Sequence, residues 1–171
     1  MDAIAVLRML AQWAHQEFDM TTADVEENVA HQAAQGKGGT VGSSMAHAIF
    51  AEDNIIQGML QGRPPLAMTA FAGKTGISDP QMFNTPDWIK AVRLDLPRFR
   101  TYSQAVAAAT DEYIASLKES DLDRMVDLTQ NKLGIRPVAW LIGALVIAHL
   151  HDMTGGISAV KGAQGLQGYP F

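Results

Sequence analysis

Apolar residues recur at helical spacing in several stretches of the chain. Ile4, Leu7, Leu10, Ala11, Ala14 and Phe18 fall three and four residues apart, which sets them on one face of a first helix. Thr21 and Thr22 offer caps to a short helix through residues 23–27, whose acids suit the positive end of the helix dipole. A flexible break is expected at Gln35-Gly36-Lys37-Gly38-Gly39. Ser43 or Ser44 is placed to cap a second long helix over about residues 45–61, which Gly62 ends and Pro64-Pro65 keep from continuing. Residues 66–84 read as loop. Thr85-Pro86-Asp87 is a helix start, a cap followed by proline at the first helical position. It predicts a third long helix to about residue 118, with a kink or fresh start near Pro97. Residues 120–123 read as a turn and 125–133 as extended. Gly134 and Pro137 open a fourth long helix to about residue 160, and a tail follows that carries Gly162, Gly165 and Gly168.

No segment of the sequence repeats, and no set of strands shows alternating polarity. Four long helices with two sizeable connections predict an all-α bundle, as a single domain over residues 1–171. Apolar residues make up 47% of the chain and charged residues 18%. The charged share is below the usual ~25%, which points to a surface partly covered by a second subunit. The net charge is −5 with no basic stripe, so nucleic-acid binding is not expected. Without cysteine there is no disulfide, thiolate metal site or cysteine nucleophile. The start Met1-Asp2-Ala3-Ile4 has no basic region before its apolar run, so no signal peptide is expected. The longest nearly all-apolar run, 138–150, falls short of the ~20 residues a membrane span needs. A cytoplasmic protein without membrane attachment is the expectation.

Two of the five histidines stand where chemistry is expected. His47 lies in the first turns of the second helix, with Phe50, Ala51 and Asn54 following on its face. His149 emerges from an apolar stripe through Leu141 or Ile142, Leu145, Asp152 or Met153, Gly156 and Val160, and points into the bundle. His151 is rotated by about 200° and points elsewhere. A histidine on an apolar face also serves as a hydrogen-bonded core residue, but facing helices of a bundle are a common source of metal ligands. Glu52-Asp53 reads as a solvated face, since adjacent helical residues diverge by about 100°. Ser43-Ser44 reads as a cap rather than a nucleophile. The glycine-rich tail lacks phosphate-loop spacing and is expected to pack closely against helices. Met9, Met45, Met59 and Met125, and the three tryptophans, read as core packing.

The stretch His149-Leu150-His151-Asp152-Met153-Thr154-Gly155-Gly156-Ile157, with the tail Gly165-Leu166-Gln167-Gly168-Tyr169-Pro170-Phe171, resembles the end of DinB-like proteins. Met45-Ala46-His47-Ala48-Ile49-Phe50-Ala51-Glu52-Asp53 is similar to the helix in which that superfamily carries an early histidine. In order and spacing the resemblance covers nearly the whole chain. It implies a DinB-like four-helix bundle, usually dimeric, with a divalent metal (zinc or nickel) held by one histidine of the second helix and two of the last. His47 matches the first ligand and His149 the second, while Met153 stands in the third position. Gly156 stands where the family often has Glu or Gln.

A thioether is a soft ligand that suits Cu(I) better than zinc or nickel. Two imidazoles alone do not make a zinc site, which takes four ligands, or three and a water. The resemblance therefore implies a degenerate site, with Asp152 as an available replacement donor. Characterised relatives include mycothiol- and bacillithiol-dependent transferases, in which the metal raises the thiolate fraction of a bound thiol. Two functions are expected in competition. One is a metal-dependent small-thiol transferase or isomerase that has lost one histidine, with the thiol brought by a cosubstrate. The other is a non-catalytic bundle that binds a small apolar ligand or a protein partner in the same cleft, as a homodimer.

Overall fold

The computed structural model describes residues 2–32, 39–82 and 84–171. Most of the expected break at 35–39 lies outside the described residues. Helix α1 spans Ala3–Thr22, and its cap is Asp2, whose carboxylate accepts from the Ala5 amide at 2.7 Å. Thr22 does not cap a following helix. Its hydroxyl donates back to the Phe18 carbonyl at 2.8 Å, so α1 runs on and the short α2 starts only at Glu27 (Glu27–His31). Helix α3 spans Val41–Asp53 and continues as a π-helical segment, Asn54–Leu60. Its cap is Thr40, not a serine: Thr40 Oγ1 accepts from the Ser43 amide at 3.0 Å, and Ser43 lies within the first turn.

The expected third helix is two. The segment α4 (Pro86–Ala91) is capped by Thr85, and the chain then extends through Val92 and Leu94 before α5 (Leu96–Ser116) starts afresh from an Asp95 cap. Leu94 pairs with Ile77 in an isolated antiparallel bridge, and both are buried. That interruption satisfies backbone groups a continuous helix would have bonded internally. Gly76 is needed where this loop crosses α5. Its φ is +76°, and a Cβ there would come within 2.6 Å of the Asp95 carbonyl.

Strands β1 (Met125–Leu128) and β2 (Gly134–Pro137) form an antiparallel hairpin with Met125 opposite Pro137 and Leu128 opposite Gly134. The last helix, Val138–Ala163, is built of α6 (Val138–Trp140), a π-helical segment (Leu141–Ala148) and α7 (His149–Ala163). By length and composition this helix is long and apolar enough to cross a membrane, although the run 138–150 alone is not. Leu141, Ile142, Val146, Leu150 and Ile157 on it are buried in the core.

The described residues are thus mainly helical, with one two-stranded sheet among them. Helix α1 packs on α5 and α7, and α3 packs on the same two. The core between them contains Phe18, Met45, Ile49, Phe99, Tyr102 and Ile114. Two cationic side chains tie the end of α1 into this arrangement. The Arg100 guanidinium donates to the carbonyls of Thr22, Ala23 and Val25, partners a helix C-terminus otherwise lacks. Lys161, 2% exposed, donates to the Thr21 carbonyl at 2.6 Å and to Asp24 at 2.5 Å.

The stripe on α1 is narrower than its spacing implies. Ala11, Ala14 and Phe18 are buried, while Leu10 at the stripe's edge is exposed together with Met9 and Trp13. Met125 is likewise exposed, on the hairpin. Met45 is buried and Met59 half-buried, as a core role requires. Of the tail glycines expected to pack closely, Gly168 does, since a Cβ there would stand 2.8 Å from the Ser158 carbonyl oxygen, while Gly162 and Gly165 have open space where a side chain would lie. The tail ends with the Phe171 ring stacked on Trp13, centroids 6.1 Å apart.

Candidate functional site

The two singled-out histidines come together. His47 lies early in α3, and His149 is the first residue of α7, where the π-helical segment ends. Their rings meet edge to face, with centroids 5.1 Å apart and planes at 82°. Both are half-buried. Burial, and then the neighbouring His149, push His47 down to about 4. Burial also lowers His149, against the opposing charges of Asp152 and Glu52. Both rings are therefore neutral at neutral pH, each with one nitrogen lone pair free to accept. Nδ1 of His47 is buried and has no hydrogen-bond partner. A buried, unpaired ring nitrogen calls for a ligand or an explanation.

The π-helical segments matter to this meeting. Their i→i+5 bonding is rare and recurs at functional sites. Asn54–Leu60 follows the helix of His47, Leu141–Ala148 precedes His149, and the two segments touch. The direction of His149 relative to Leu141 and Ile142 is thus set by local overwidening of the helix, not by a uniform 100° step.

The remaining donors do not complete a divalent site. Met153 is half-buried one turn after His149, and Asp152 is exposed. Among the described residues, no three His, Cys, Asp or Glu side chains are grouped to hold a metal ion. Zinc takes at least three protein donors and a water. Two imidazoles and a thioether do not fit that requirement.

Glu52 and Asp53 overturn the expectation of a solvated face, being 2% and 0% exposed. Glu52 Oε1 accepts from His15 Nε2 at 2.8 Å and from the Thr110 hydroxyl, while Oε2 has no partner. Asp53 accepts from the amides of Leu66 and Ala67, both at 2.9 Å, and from the Tyr102 hydroxyl at 2.7 Å. Burial and the Asp53 carboxylate together raise the Tyr102 phenol far above its usual range. The two acids diverge around the helix as expected, but packing surrounds α3 on nearly every side. A signal was present: Glu52 and Asp53 are the only charged residues between positions 41 and 60, and a helix without a polar face is a buried one. His15, which the spacing did not single out, is the partner that makes Glu52 tolerable there. His151 points away from the pair, as expected, and meets Glu17 at 2.6 Å.

No protein-family model matches the sequence, and no curated protein matches it. A solved structure described as a conserved protein from Enterococcus faecalis is similar to this chain, with a TM-score of 0.75 and 20% sequence identity. The similarity covers 95% of this chain and 99% of that one. At that identity it is a likeness of fold alone.

Proposed function

We propose that this chain is a DinB-like four-helix bundle that has become a non-catalytic binding protein, holding a small ligand where His47 of α3 meets His149 of α7. The observation that carries this reading is the His47–His149 contact at 5.1 Å, with its unpaired His47 Nδ1. One histidine comes from the second long helix and one from the last, which is how the resemblance distributes ligands. The third position holds Met153 and supplies no third imidazole. A site of that kind retains ligand-binding groups but lacks the donor set that activates a thiol through a hard divalent ion.

A second copy of the chain is the proposed partner. Met9, Leu10 and Trp13 form an exposed apolar ridge on α1, continued by Phe171, and such a ridge on a charge-poor chain suits a self-complementary interface. A cytoplasmic location is part of the same reading, supported by the use of the helix Val138–Ala163 for the core.

Metal analysis of the purified protein by mass spectrometry tests the reading. Zinc and nickel well below one per chain are expected. Near-stoichiometric zinc or nickel would favour the thiol-transferase function instead.

A further inference from the structure

We infer that His47, His149 and the Met153 thioether form a site for a soft monovalent metal ion, Cu(I). This rests on the reading of the histidine pair as the ligand-binding point, and names what that point takes. Residues 149 and 153 both lie in the regular α-helical part of the last helix, Ala163 being its end. They therefore stand one turn apart on one face. Met153 is half-buried there and packs against the core, while His47 meets His149 from the opposite helix.

Donor chemistry selects the ion. Thioether sulfur prefers Cu(I) over zinc, nickel or magnesium, and imidazole binds copper well. Cu(I) is a closed-shell ion content with low coordination numbers, so two imidazoles and a thioether are enough without a fourth protein ligand. Charge points the same way. The penalty for taking an ion out of water grows with the square of its charge. Beside this half-buried pair, the acids acting on His149 are Glu52, already engaged by His15 and Thr110, and the exposed Asp152. The metal stays Cu(I) throughout, so no electron is transferred.

The test is an anaerobic titration of the full chain with Cu(I), supplied as its acetonitrile complex, against a chromophoric Cu(I) chelator. One Cu(I) per chain is expected, with a sulfur scatterer in its K-edge absorption spectrum. Met153→Leu, close in volume and so tolerated by the packing, should weaken binding on the order of tenfold and remove the sulfur signal. His47→Gln and His149→Gln should weaken it at least as much. Absence of Cu(I) binding by the parent chain would overturn the inference. So would unchanged affinity in Met153→Leu alongside loss in both histidine variants, in which case the histidine pair stands as the site and the thioether is packing only. Affinity unchanged in the histidine variants would remove both this inference and the reading of the pair as the binding point.

Discussion

His15 on α1 donates through Nε2 to Oε1 of Glu52 on α3 at 2.8 Å, inside the packing of the two helices. Burial works against charging the ring, but the Glu52 carboxylate and its hydrogen bond outweigh burial and raise the histidine above its usual 6.5. The charged imidazole is thus favoured in the folded state. Its contribution to stability is fully present below about pH 6.5 and is lost as pH rises through the higher folded value. Urea denaturation of the parent should show stability declining over that window, and His15→Gln should flatten the decline. Glu52→Ala leaves His15 and Thr110 without their acceptor and should destabilise by about 3–5 kcal/mol at neutral pH.

Asp53 fastens the turn after α3 to the core through two amides and the Tyr102 hydroxyl. Asp53→Ala leaves three donors unpaired in a buried place, each at about 1–3 kcal/mol before relaxation. Hydrogen exchange should quicken at the Leu66 and Ala67 amides more than at core amides of α5. Equal acceleration everywhere would mean that Asp53 supports the whole fold rather than this turn.

Met153→His should create a third imidazole one turn from His149. Binding to the folded state alone raises stability, so zinc or nickel should raise the melting temperature of the variant and leave the parent nearly unchanged. A variant insensitive to metal would show that position 153 does not face the histidine pair. A parent that shifts as far as the variant would show that the methionine does not impair divalent binding.

The exposed ridge of Met9, Leu10 and Trp13 with Phe171 should lie between two copies of the chain. Light scattering should give a mass near twice 18.5 kDa at micromolar concentration. Trp13→Glu, which places a charge in that ridge, should shift the mass toward the monomer with little loss of helicity. A monomeric parent would remove the second copy as the partner.

Much of the fold was legible because helical spacing and end signals are local. The Thr85-Pro86 start appears where the sequence sets it, and Pro97 does mark a fresh helix, α5. The starts that went astray did so through competition between neighbouring hydroxyls. Thr40, Ser43 and Ser44 can each cap a helix, and in the fold Thr40 takes the cap while Ser43 lies inside the first turn. Of the candidate site, His47 and His149 were legible as inward histidines on separate helices. Glu52 and His15 were not, because a charged pair reads as solvated until its surroundings are known.

The sequence by itself determined a mainly helical chain, the absence of any cysteine chemistry, and the presence of methionine at position 153. These follow from residue identity and from spacing over a few turns. Only the tertiary structure decided that α3 has no solvent side, that Glu52 finds His15 and Thr110, and that the rings at 47 and 149 touch. Each depends on what a different helix brings to the same point, and helix-wheel spacing carries no information about that. The π-helical segments add a second reason. They change the angular step just before His149, so its direction became definite only once the whole helix was packed against its neighbours.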